Sequence, residues 1–215
     1  VNAKSSSQLS QQAEELLAVV HQFRLWEEEE AIDRIRTLSG LGVDAVETPL
    51  RQIARSVAKD RPEEINADPE AAAQALARVR EAVPADIIEH VADFDEGFAL
   101  ALLRHAAVDV FNIVPVQAGS LHRAQRLVHI AEAGGMPVLL GSTVELGIGT
   151  AAALHLGIAA QAVTVASDLV GPGLLADDVV APRLGYERGQ LGVGTGIGLG
   201  VDLVPTQLAR YGVES

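Results

Sequence analysis

The chain of 215 residues has no cysteine. That excludes disulfides, thiolate nucleophiles and cysteine-ligated zinc, and it fits a reducing compartment, so a cytoplasmic location is expected. Aromatic residues are nearly as scarce, with four Phe, two Tyr and one Trp against 48% hydrophobic residues. Any core must therefore be packed with Ala, Val, Leu and Ile, as in a parallel sheet wrapped in helices. Positive charge is also in short supply: 16 Lys and Arg stand against 29 Asp and Glu, a net charge of -13. Such a surface repels phosphate backbones and anionic membranes, so neither nucleic acid nor membrane is an expected partner. No apolar run reaches membrane-spanning length before Gly, Asp or His interrupts it. The first residues, VNAKSSSQLSQQAEELL, lack the basic-then-apolar order of a signal peptide.

What the sequence does have is alternation. Helical periodicity runs over 8–22 and 27–38, the second stretch with four glutamates in its first turn, where the helix dipole favours them. Residues 43–48 read as a strand ending at Glu47, before a polar, highly charged stretch over 51–64. Asp68-Pro69-Glu70 then opens a helix, with Asp68 as N-cap and Pro69 in the first helical position. From there the order is regular: strand 86–91, helix 95–105, strand 108–114, helix 121–133, strand 137–141, helix 148–160, strand 162–166. Strand and helix at this spacing predict right-handed βαβ crossovers and a parallel sheet. The alternate glycines of 192–200 lack the preceding strand, following helix and downstream acid of a dinucleotide fingerprint, and they read as a loop.

The most informative stretch is PVLLGSTVELGIGTAAALHLGIAAQAVTVASDL, 137–169, in which a buried strand delivers Gly-Ser-Thr-x-Glu and turns directly into a small-residue helix. Strands that present polar groups at their C-terminal ends build the sites of barrel enzymes. Together with LVGPGLLADDVV and GTGIGLGVDLVPTQLARYG further on, this run resembles the barrel domain of the muconate-lactonizing and mandelate-racemase branch of the enolase superfamily. The resemblance is strong over 94–215 and divergent or rearranged over 1–93. It implies one domain over 1–215, a TIM-like (β/α) barrel that is incomplete or rearranged and lacks the N-terminal capping domain that precedes the barrel in this family.

The resemblance also implies a chemistry. Members abstract a proton next to a carboxylate and hold the resulting charge on Mg²⁺ or Mn²⁺, with a Lys or His as base. Three carboxylates from successive strand ends bind the metal, which takes oxygen ligands. Glu47, in Val46-Glu47-Thr48-Pro49, falls on the second ligand. The third falls on Ile88 with Glu89 beside it, so Glu89 is the expected ligand of that strand. For the first ligand, His21 and Asp93 are both candidates. Lys4 falls on the catalytic base. The opposing lysine is replaced, since the chain reads Asn112-Ile113-Val114-Pro115. Glu145 is expected among the catalytic groups, with Ser142 and Thr143 contacting a small carboxylate substrate; Asp168 and Gly171-Pro172-Gly173 are expected at the same mouth. Members commonly assemble, so a homo-oligomer is expected. Two functions remain open: a muconate cycloisomerase-type, metal-dependent isomerase of small carboxylic acids with impaired activity, and a catalytically silent or engineered barrel scaffold that binds a small anion or a protein partner.

Overall fold

A computed structural model of the chain describes residues 28–47 and 68–211. Lys4, His21, Thr48, Pro49 and the stretches 8–22 and 51–64 lie outside the described residues.

The predicted alternation is present. Helix α1 (Glu28–Gly40) leads to β1 (Ala45–Glu47), and α2 (Pro69–Ala82) to β2 (Asp86–His90). Then follow α3 (Glu96–Arg104), β3 (Val110–Ile113), α4 (Leu121–Gly134), β4 (Val138–Leu140) and α5 (Gly147–Ala159). The helix starts are set by side chains that satisfy otherwise orphaned N–H groups. Asp68 accepts from Ala71 N at 3.0 Å, Asp95 from Phe98 N at 3.2 Å and Ser120 from Arg123 N at 3.1 Å. At its far end α4 stops on Gly135, at φ 66°, a left-handed position that glycine adopts without strain.

The four strands form one parallel sheet in chain order, β1-β2-β3-β4. The strand predicted over 162–166 is reduced to a single parallel bridge, Val138 to Val163. Backbone bonds from Val138 N to Ala162 O and Val165 N to Val138 O start a ladder, but the next comes from Asp168 N to Leu140 O, one residue late. At the break, the Ser167 hydroxyl accepts the Leu140 N–H at 3.0 Å in place of a backbone carbonyl. The segment runs beside β4 as a fifth stave without forming a regular strand.

Because side chains alternate across a strand, the sheet has two distinct faces. One carries Ile87, Phe111, Ile113, Val138 and Leu140 into the helices, where Leu76, Val79, Phe98, Leu102 and Leu127 are fully buried. Three of the four phenylalanines lie here, and Phe94 and Phe98 meet edge to face at 4.6 Å. The other face, the interior in a barrel, carries Glu47 and Ile88, then Val110, His90, Asn112 and Leu139, as the register requires.

After α5 the chain forms α6 (Gly171–Leu174), β5 (Val180–Ala181), a hairpin of β6 (Tyr186–Glu187) and β7 (Gln190–Leu191), β8 (Asp202–Leu203) paired with β5, and α7 (Pro205–Tyr211). The glycine-rich stretch is a loop, folded so that Gly194 and Gly200 touch backbone to backbone. No helix among the described residues is long and apolar enough to cross a membrane.

Candidate functional site at the strand ends

The C-terminal ends of the strands gather polar groups into one mouth. Glu47 closes β1, His90 closes β2, Asn112 lies near the end of β3, and the loop after β4 carries Ser142, Thr143 and Glu145. Register explains the first cluster. His90 pairs with Asn112 and Glu47 with Ile88, so His90 and Asn112 share a face with Glu47 and project one step beyond it. Glu47 Oε1 lies 3.1 Å from His90 Nε2 and accepts a hydrogen bond from Asn112 Nδ2. The His90 hydrogen bond is the main reason the Glu47 carboxyl titrates below its ordinary value; partial burial opposes it, and Asn112 and the His90 charge add to it. Asn112 is 1% exposed and fits only because position 141 is glycine, where a Cβ would overlap the Asn112 amide and lie 2.8 Å from a Val114 methyl.

The expected ligand Glu89 is not brought to Glu47. It pairs with Phe111, on the helix-facing side of the sheet, where it is fully buried and its Oε1 accepts the His90 N–H at 3.0 Å. The period of two is the reason: residues one apart on a strand point to opposite faces. The side chain that reaches the mouth from β2 is His90, which sequence reasoning did not single out. Asp93 lies beyond the end of β2 in the turn before α3.

Ser142, Thr143 and Glu145 are brought together and bind one another. The Ser142 hydroxyl donates to Glu145 Oε2 at 2.5 Å, and Thr143 N and Oγ1 donate to Oε1 at 2.7 and 2.8 Å. Ser142 Oγ in turn accepts the Val144 N–H at 3.0 Å. Val144 sits at φ 66°, an uncommon conformation for a β-branched residue. Burial pushes the Glu145 carboxyl up, and the Ser142 and Thr143 hydrogen bonds more than reverse this, leaving it below its ordinary value. Asp168 stands at the rim beyond β4. Desolvation first, and the Glu47 charge second, raise its carboxyl, with Glu145 adding to them and its own backbone N–H and His90 opposing. Behind the mouth, Gly171 lies hard against the Glu145 carbonyl, with no room for a Cβ.

A hard Mg²⁺ ion calls for several converging oxygen donors. The described side chains bonded to Glu47 are an imidazole and an amide, and no group of three His, Asp or Glu able to hold a metal occurs among the described residues. The described donor set does not fit the Mg²⁺ or Mn²⁺ centre that the sequence implies.

A parallel α/β sheet with acidic groups at the C-terminal strand ends defines a site of the barrel class. The chain belongs to the enolase C-terminal domain-like family, whose profile matches residues 11–207. It is 28% identical over 188 residues to muconate cycloisomerase 1 of Pseudomonas putida and 32% identical over 190 residues to a chloromuconate cycloisomerase of the same species, in each case over 86% of this chain and 45% of the relative. The crystal structure of muconate lactonizing enzyme from Pseudomonas fluorescens complexed with muconolactone superposes with a TM-score of 0.71 at 28% identity, over 86% of this chain and 45% of that one. The chain thus spans about half the length of the curated relatives it matches.

Proposed function

We propose that this chain is a catalytically silent barrel unit of the enolase superfamily, one domain descended from metal-dependent isomerases of small carboxylic acids and no longer equipped for two-base proton transfer. Val114 is the observation that carries the proposal. It is fully buried, its methyl group set beside Gly141 and Asn112, where the resemblance places a lysine. A general base must come within hydrogen-bond reach, about 2.6–3.2 Å, of the proton it takes. An aliphatic side chain offers no such group. The titratable groups described at the mouth are Glu47, His90, Glu145 and Asp168; the first two are bonded to each other and the third to its own loop.

The second reading is an active isomerase like the relatives, with Lys4 as a single base and Glu145, Ser142 and Thr143 against the substrate; Glu89, on the helix-facing side of the sheet, does not share a metal with Glu47 in this reading. The gathering of Glu47, Glu145 and Asp168 at one mouth favours it. Incubation with muconolactone and related acids in D₂O, with Mg²⁺ or Mn²⁺ present and proton NMR as the readout, separates the two. The silent barrel incorporates no deuterium above a protein-free control. Incorporation that Lys4→Ala abolishes establishes the isomerase. A homo-oligomer accompanies either reading, and sedimentation velocity over a range of concentrations tests it.

A further inference from the structure

We infer that His90 and Asn112 occupy, at the Glu47 carboxylate, the place a divalent cation takes in a metal-dependent site, and that His90 is the side chain that makes this mouth indifferent to metal. Glu47 is the one carboxylate that β1 presents, and its Oε1 already meets two nitrogen donors from the next two strands. Those donors are not free to swing aside. His90 and Asn112 are register partners, set 3.0 Å apart (Nε2 to Nδ2) on adjacent strands. Asn112 is 1% exposed, and its amide packs against the bare backbone of Gly141.

The orientation of the amide follows from its partner. Nδ2 donates to the carboxylate, whereas an oxygen turned there would face another acceptor. Its Oδ1 is buried on the far side without a hydrogen-bond partner. A hard dication approaching Oε1 would meet the Asn112 N–H and an imidazole nitrogen where it needs oxygen lone pairs. Had β2 ended in a carboxylate at position 90, the same register would have set two acids side by side, which is the start of a hard-cation site. An imidazole there supplies a donor to Glu47 and removes the second charge.

The inference deepens the reading above and rests on it only for the location of the mouth. Metal binding and isotope exchange are read separately, so either can fail alone. The test uses the full chain, stripped of metal by chelator dialysis. Mn²⁺ uptake is followed by loss of the free-ion EPR signal, and Zn²⁺ uptake by calorimetry. The wild-type protein is expected to bind neither at Glu47. His90→Asp, checked for folding by circular dichroism, is expected to bind Mn²⁺ at least tenfold more tightly than the wild type, and adding Glu47→Gln is expected to abolish the gain. Stoichiometric Mn²⁺ or Zn²⁺ binding by the wild type that Glu47→Gln removes would overturn the inference, and this arm decides even where the aspartate variant fails to fold. A folded His90→Asp protein with no gain would also overturn it.

Discussion

Replacing Glu145 by Gln should loosen the loop that follows β4, and the loss should depend on pH. The wild-type carboxylate collects three hydrogen bonds from Ser142 and Thr143, at 2.5, 2.7 and 2.8 Å, and so closes a turn in which Val144 is held at φ 66°. A left-handed conformation costs an L-residue roughly 1–2 kcal/mol, so the loop persists only if its bonds exceed that cost. Hydrogen bonds to a charged group contribute about 1.5–3 kcal/mol each when buried, and much less at a half-exposed site such as this. Glutamine keeps one acceptor oxygen and turns an NH₂ toward the other donors. The expected destabilisation at pH 7 is therefore about 1–2 kcal/mol, after discounting for solvent.

The sign with pH follows from the lowered carboxyl of Glu145. Its ordinary value is 4.5, so the charged form stabilises the fold fully above that pH, and the contribution fades as pH falls through the lower folded value. Urea denaturation of wild type and Glu145→Gln at pH 7 and at progressively lower pH measures this directly. The gap between the two proteins should close below pH 4.5. A gap that is absent at pH 7, or that stays constant into acid, would refute the idea that the charged carboxylate holds the loop.

Three further substitutions probe the frame around the mouth. Asp178→Ala removes a buried acceptor that takes the Gly147 N–H at 2.9 and 3.0 Å and the Val179 N–H at 2.7 Å, at the start of α5. Leaving those donors dry should cost about 2–4 kcal/mol, read by urea denaturation. Gly147→Ala introduces a Cβ that overlaps the Val180 Cγ2 methyl and lies 2.7 Å from Asp178 Oδ2, so overpacking of about 1–3 kcal/mol is expected in thermal unfolding, despite the better helix propensity of alanine. Phe98→Ala empties the centre of the helix-facing core beside Phe94 and should cost about 3–5 kcal/mol, measured from the denaturation midpoint.

The alternation from Asp86 onward could be read from the sequence because each level agreed with the next. Short apolar runs alternate with longer stretches of helical period, and the structure adds the caps that fix the boundaries: Asp95 and Ser120 start their helices and Gly135 ends α4. The fifth stave was less legible. Ala162 to Ala166 has a strand-like composition, but its ladder breaks where the Ser167 hydroxyl replaces a backbone acceptor, and no local pattern announces a one-residue offset. In β2 the phase was ambiguous. Ile87 and Ile88 are both apolar and Glu89 and His90 both polar, so composition does not say which pair of alternate residues faces the helices. The structure resolves it against ordinary expectation by burying the glutamate and exposing the histidine side to the mouth. The signal that fixes the phase is tertiary: His90 stands beside Asn112, and that pairing exists only once β2 and β3 are in register.

The mouth also shows why a count of carboxylates is a poor guide to chemistry. Glu47, Glu145 and Asp168 are the residue types a hard cation needs, yet each has a different electrostatic setting. Glu47 is stabilised as an anion by an imidazole and an amide from the next two strands, and Glu145 by the hydroxyls and backbone N–H of its own loop. Asp168 lacks such a set of donors and feels the charge of the other two, so its carboxyl moves the opposite way. Opposite shifts within one cleft often mark an acid and a base at work, but structural hydrogen-bond networks produce the same pattern. What separates the cases is whether donors remain for a ligand. In a working site, preorganised groups wait for charge that arrives with the substrate or ion. Here the donors that face Glu47 and Glu145 are already spent on those side chains, so the charge this mouth is built to stabilise is its own.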